Sequence, residues 1–315
     1  MRGEEKTAFG FPGQGADYSE LVRDLTDENI VGQETADIAN EVIGEVSDAS
    51  EVDVLKLARE GTEDERVDTR NAQIILLAGG AAGAAYLMKK RKINPDFVRG
   101  HSAAAFTAAA VGGALALRQA AIAIKERGIS MHEASIEHPG GMAAVKDISL
   151  ERLDTICQNV GAFISNLNSP IQTIIAGPHE ALEEAKKKIT QAGGKATLFR
   201  NWKAGIAHTP HVMVVQERLN EILGPNIVSD STIAVVKNRD GKATKEAEQI
   251  RQDLTAAAEQ VRWAAGTETL DEEGVVRHIE VSSKSKRVIS NLLKEHDLRE
   301  GVEIEHISEL MDEEK

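Results

Sequence analysis

The sequence predicts an α/β fold that carries a small second α/β unit, and three observations predict it. Short apolar runs ending in glycine or proline turns alternate with amphipathic helical patterns over most of the chain. Between residues 141 and 202 the texture changes to a strand-helix-strand-strand-helix-strand order packed into about sixty residues. Beyond it the first texture returns, so residues 1–140 and 203–315 read as one unit and residues 141–202 as an insert within it.

Taken in order, TAFGFPGQGAD at 7–17 reads as a short buried strand running into a Gly/Pro turn. Helical patterns follow. With Asp68 or Thr69 as its cap, residues 70–90 form an apolar helix. Its core AQIILLAGGAAGAAYLM, at 72–88, is the one membrane candidate. It is shorter than the roughly 20 residues a spanning helix needs and is diluted by Gly and Ala, so a buried helix is expected. INPDFVRG at 93–100 is a turn followed by a brief apolar strand, and Ser102 opens the helix AAAFTAAAVGGA. In the insert, MAAVKD is a strand, SLERLDTICQNV a helix capped by Ser149, and AFISNLN and QTIIAG are strands joined by a Ser-Pro turn. PHEALEEAKKKITQAG is then a helix and KATLFR a last strand, which completes a ferredoxin-like order. The main unit resumes with a helix over about 210–223, the strand STIAVVKN, a helix over about 246–259, the strand RHIEV at 277–281 and a helix over about 284–295. The acidic tail ELMDEEK is expected to be frayed and solvated.

Composition narrows the function. Among 315 residues, 41% are hydrophobic and 28% charged, which excludes a disordered chain. The net charge of −14 argues against nucleic acid, whose phosphates need a basic face. Cys157 is the only cysteine, so no internal disulfide or multi-cysteine metal site is expected, and a reducing cytoplasm fits best. The opening MRGEEKTAFGF has no apolar core of secretory type.

GHSAA at 100–104 resembles the nucleophile elbow GxSxG, in which the turn from strand to helix demands small residues two before and two after the serine. Gly100 meets that demand and Ala104 weakens the motif without destroying it. A serine nucleophile needs a base. His101 is adjacent to Ser102 and is expected to point away, whereas His208, in GIAHTPHV, lies where the chain re-enters the main unit. On these residues alone, a packed serine and a surface histidine remain open as alternatives.

FGFPGQGAD, VRGHSAAAF, KERGISM, PGGMAAV, NLNSP and AHTPH follow one another in an order that resembles the malonyl-CoA:acyl carrier protein transacylase family over nearly the whole chain. The resemblance implies an α/β-hydrolase-like core with a parallel sheet plus the ferredoxin-like insert. It implies a ping-pong acyltransferase with Ser102 as nucleophile, His208 as base, and an oxyanion hole from Gln14 and the amide of Ala103. Arg127 corresponds to the arginine that clamps the free carboxylate of malonyl. Asn166, Asn168 and Asn238 fall where the family places polar groups near the site. Ala256, counted back from Val261, stands in place of a glutamine whose backbone carbonyl orients the histidine. The partners implied are malonyl-CoA or a related acyl-CoA and an acyl carrier protein with a phosphopantetheine-type arm. No bound cofactor, metal, nucleic acid or membrane is expected, and the location implied is cytoplasmic.

The chain also departs from the family. GHSAAA replaces GHSLGE, SSKSK at 282–286 replaces a GPG turn, and Ala207 precedes the histidine where the family has an aromatic residue or serine, leaving room for an acyl group larger than malonyl. The AAAFTAAAVGGAL run is similar to the transacylase subunit of malonate decarboxylase, and trans-acting polyketide acyltransferases are a third setting beside fatty-acid synthesis. KKRK at 89–92 and the lysines at 186–188 are the candidate patches for an acidic carrier. Two other functions stay open at this point: an acyl-thioester hydrolase on the same scaffold, and a non-catalytic subunit that binds the carrier protein.

Overall fold

A computed structural model describes residues 5–199 and 204–312. Among the described residues ten strands form two sheets: β1 (Lys6–Phe11), β2 (Phe97–Gly100), β3 (Gly141–Lys146), β4 (Phe163–Ser169), β5 (Gln172–Gly177), β6 (Lys195–Leu198), β7 (Ala234–Val236), β8 (Ala243–Thr244), β9 (Val275–Glu280) and β10 (Glu303–His306). The larger sheet has the order β10-β9-β1-β2-β7-β8. Every neighbouring pair in it is parallel except β7 with β8 at the edge. The smaller sheet has the order β4-β5-β3-β6 and is antiparallel throughout. The chain is therefore a mixed α/β protein with a parallel-rich main sheet and a separate antiparallel one.

Helix Thr69–Ala85 begins where Asp68 accepts the amide of Arg70, and it is buried along almost its whole length. Its run of small residues lets it lie close to the sheet: a Cβ on Gly83 would stand 2.6 Å from Val281. A π-helical turn, Tyr86–Lys90, extends it to 22 residues, so by length and composition it reaches a span a membrane helix needs, but 78% of its apolar stretch is buried inside this fold. Its outer face meets helix Gln33–Ser50 and helix Leu117–Glu137, which complete the core on that side.

The smaller sheet shows why a short segment can serve two masters. Side chains alternate along a strand. Ala143 and Val145 of β3 join Ile175, Leu153 and Leu182 in a core of their own, whereas Met142, Ala144 and Ile174 face a cavity shared with the main sheet. Ser149 caps helix Leu150–Val160 by accepting the amide of Arg152. The junction expected at 202/203 lies outside the described residues, as does the last residue of the KATLFR strand.

Several expectations from sequence are corrected. The stretch before the terminus is not frayed: β10 adds a parallel edge strand and helix Ile307–Asp312 follows, with Ile307, Leu310 and Met311 buried. The carbonyl of Leu310 accepts a hydrogen bond from the Tyr86 hydroxyl at 3.1 Å. The acidic residues around those three apolar positions had hidden them; residues 313–315 of the tail are outside the description. Helix Trp263–Glu272 was not anticipated. The helix expected over 246–259 is Ala247–Thr255, and the one expected over 284–295 is Val288–Leu293, because residues 282–286 form a turn.

Candidate active site

β2 ends at Gly100, at the carboxyl edge of the parallel sheet, and the chain turns there so sharply that Ser102 adopts φ +55°. Such a backbone is uncommon for a residue with a side chain and costs on the order of 1 kcal/mol or more. The turn is tight on one side only. A Cβ on Gly100 would sit 1.9 Å from the carbonyl oxygen of Ala104, so nothing but glycine fits, while Ala104 keeps its own methyl buried in the core. Half of the elbow's small-residue demand is thus absolute and half is relaxed. Residues 102–104 form a 3₁₀ turn that runs into helix Ala105–Val111.

The Ser102 hydroxyl lies 2.7 Å from Nε2 of His208, across 106 residues of sequence. Nδ1 of the same ring lies 3.0 Å from the carbonyl oxygen of Glu259. A carbonyl only accepts, so Nδ1 carries the proton and Nε2 presents its lone pair to the serine O–H. Burial pushes the His208 imidazole down to about 3, with the charges of Arg127 and His101 adding to the shift. The ring is a neutral base at physiological pH. The carbonyl at Nδ1 corrects the expectation for Ala256: helix Ala247–Thr255 ends one residue earlier, and the Ala256 carbonyl is taken by the amide of Glu259 at 3.0 Å. That turn hands the orienting role to Glu259, three positions further on.

Arg127, on helix Leu117–Glu137, is buried beside the pair. One guanidinium nitrogen donates to Oε1 of Gln73 at 2.7 Å and another to Oγ of Ser102 at 3.3 Å. Burial lowers its pKa to about 10, which leaves it charged at neutral pH. Gln73 in turn donates to the hydroxyl of Thr69 at 2.9 Å, and Thr69 donates to Oε1 of Gln14 at 3.0 Å. A continuous polar chain therefore runs from Gln14 through Thr69, Gln73 and Arg127 to Ser102 and His208. Thr69 was read from sequence only as a possible helix cap, and Gln73 was not singled out. The available signal was two polar residues one turn apart on a buried, otherwise apolar helix, a placement that demands partners.

These groups open on a cavity of about 330 Å³. Gln14, Ala103, Asn166 and Asn168 line it together with Ser102, Arg127 and His208, and its apolar wall includes Met131, Met142, Ile174 and Ala207. His101 does turn away from the serine: its Nε2 meets Oδ1 of Asn168 at 3.0 Å and its ring lies against Trp263 at 5.1 Å. Asn238 is not at the cavity. Its Oδ1 accepts the amide of Ser102 at 3.0 Å and its Nδ2 donates to the carbonyl of Gly100 at 2.9 Å, so it braces the elbow from behind. Among the described residues no group of three or more His, Cys, Asp or Glu side chains is arranged to hold a metal ion.

Residues 8–302 match the family model described as acyl transferase domain. The malonyl CoA-acyl carrier protein transacylase of Bacillus subtilis strain 168 is 28% identical over 300 residues, spanning 93% of this chain and 91% of that protein. The crystal structure of MCAT from Streptococcus pneumoniae is 28% identical, with a TM-score of 0.85 over 98% of this chain and 100% of that one. A malonyl-transacylase solved in complex with the holo acyl-carrier protein of a type II polyketide synthase is 27% identical, with a TM-score of 0.83 over 96% of this chain and 94% of that one.

Proposed function

Because the chain belongs to the acyl transferase domain family, we propose that it moves a malonyl group from CoA to the thiol of an acyl carrier protein by way of an ester on Ser102. The observation that carries this reading is the 2.7 Å contact between Ser102 and a neutral His208, made beside a buried arginine in one cavity. Ser102 Oγ attacks the thioester carbonyl while its proton passes to His208 Nε2. The negative charge that develops on the carbonyl oxygen rests on the amide of Ala103 and on Gln14, at about 3 kcal/mol for each well-aimed donor. Gln14 already gives its side-chain oxygen to Thr69, which leaves its N–H groups for that purpose. The C–S bond breaks, the imidazolium returns its proton to the CoA sulfur, and malonyl-Ser102 remains. The phosphopantetheine thiol of the carrier then gives its proton to His208, attacks the ester and regenerates the serine.

Arg127 supports the choice of malonyl. A guanidinium in a largely apolar cavity, hydrogen-bonded only to neutral oxygens, is matched by a free carboxylate on the incoming acyl group. Ala207 at the wall leaves space next to that group. On this reading residues 1–140 and 203–315 make the catalytic unit, and residues 141–202 make the lid-like wall that contributes Met142, Asn166, Asn168 and Ile174. A cytoplasmic location and a reaction that needs no bound cofactor accompany it. The candidate carrier patches are partly neutralised, since Lys89 and Lys90 pair with Glu41 and Glu34, and Lys187 and Lys188 with Glu184.

The test is turnover of malonyl-CoA with and without a holo carrier protein. Malonyl on the carrier thiol, with little free malonate, supports the transferase. Release of malonate at the same rate whether or not the carrier is present would establish the hydrolase instead.

A further inference from the structure

We propose that Asp253 is a positioning residue for the acylation step: it holds Asn238, Asn238 holds both arms of the elbow, and the charge on Asp253 thereby sets how fast Ser102 is acylated. The proposal rests on Ser102 being the nucleophile. Asn238 grips the carbonyl of Gly100 on one side of the turn and the amide of Ser102 on the other, closing a bracket across the residue held at φ +55°. That bracket works in one orientation of the amide only. Flipped, Asn238 would set its oxygen against a carbonyl and its N–H groups against an N–H.

Asp253 selects the working orientation. Its Oδ1 accepts the amide of Arg239 at 2.9 Å, which anchors the loop next to Asn238, and its Oδ2 lies 3.5 Å from the Asn238 Nδ2. Only an N–H of Asn238 can face a carboxylate. The placement is costly for a charge: Asp253 is buried and sits in the last turn of helix Ala247–Thr255, where the helix dipole is unfavourable to an anion. A neutral residue would suit the fold better, so the acid is not there for stability.

The surrounding charges do little to relieve it. The Arg239 guanidinium turns away to Glu259 at 2.8 Å, and Lys237 is paired with Asp240 at 3.0 Å. Helix Ala105–Val111, which packs on this helix, carries no charged residue. Helix Met213–Ile222 brings Glu217, Arg218 and Glu221, with Arg218 bound to Glu126 and Glu221. Behind the elbow, Asp253 shares with Arg127, His208 and Glu259 a void of about 20 Å³, room for one water. Burial above all, with Asp240 adding, pushes the Asp253 carboxyl up to about 6. Below that pH the acid takes a proton, the Asn238 N–H faces a neutral and weaker acceptor, and the bracket loosens. Acylation therefore rises with pH through about 6 although His208, held near 3, is already a free base there. Stability runs the other way. With a folded pKa of about 6, above the 3.8 of an ordinary aspartate, the native state binds more protons between the two, so stability falls as pH rises through that interval.

The experiment is single-turnover acylation of the full chain by malonyl-CoA, read by intact mass from about pH 5 to about pH 8, for wild type, Asp253→Asn and Asn238→Ala, with thermal midpoints recorded in parallel. A lost hydrogen bond to a charged group sets the scale at about tenfold. Wild type should lose about tenfold on acidification, with its midpoint near 6. Asp253→Asn should be slow throughout and lack that inflection, with a thermal midpoint no lower than wild type at neutral pH. Asn238→Ala should lack it too, although its Asp253 is intact, and this arm decides the matter even if Asp253→Asn folds poorly. An inflection near 6 that persists in either variant, or a wild-type rate in Asp253→Asn at neutral pH, overturns the proposal alone. A wild type that forms no adduct at any pH overturns the nucleophile reading and this proposal with it.

Discussion

Arg127 and Arg99 are both buried arginines, 5% and 2% exposed, and among the described residues neither forms an ion pair. Their surroundings differ in what lies in front of the guanidinium. Arg99, on β2 just before the elbow, lies 3.4 Å from the centre of the Trp263 ring and donates to the Trp263 carbonyl at 2.8 Å and to the Thr267 hydroxyl at 2.9 Å. The protein packs that charge against a π face and two oxygens, with only Nε left without a partner, and among the described residues no cavity opens in front of it. Arg127 has neutral oxygens for partners too, but it forms part of a cavity wall beside a nucleophile. Burial lowers both, to about 9 and about 10, so both stay cationic at neutral pH. The comparison teaches that an unpaired buried cation is not in itself a binding group. What makes Arg127 one is the space in front of it.

The largest break in that contrast is expected from Arg127→Ala. Removing one partner of a desolvated charge pair costs about 4 kcal/mol, so acylation by malonyl-CoA relative to acetyl-CoA should drop by about a thousandfold. An unchanged ratio, measured by competition between the two acyl-CoAs, would remove Arg127 from carboxylate recognition. Arg99→Ala should shift the same ratio by less than about threefold while lowering stability by about 3 kcal/mol, since a packed side chain, a cation–π contact and two hydrogen bonds go together. Denaturant unfolding checks the second figure. A selectivity loss as large as that of Arg127→Ala would mean that the two arginines act as one electrostatic unit.

How much of this was legible in the sequence follows from how local each feature is. The elbow was readable because Gly100 and Ser102 are bound by a steric rule acting over a few residues, and the ferredoxin-like order because alternation and capping repeat at short range. His208 was legible only through the resemblance carried by AHTPH, since its place after the insert alone left a surface histidine open. Glu259 was not: the residue whose carbonyl meets His208 depends on where helix Ala247–Thr255 stops and how the next four residues turn. Thr69 as more than a cap, Gln73 and Asp253 escaped for a related reason. Each is an ordinary polar residue whose importance comes from partners 14 to 55 positions away. The closing strand β10 was hidden by the acids around it, since charge density masks a short edge strand that pairs on one side only.

The central claim is that Ser102 carries the acyl group, and intact-mass measurement of the protein quenched shortly after mixing with malonyl-CoA tests it most directly. Wild type should gain the mass of a single malonyl group, and Ser102→Ala should gain none, its turnover falling by about 10⁵-fold or more. A malonyl adduct that forms on Ser102→Ala as readily as on wild type would contradict the account.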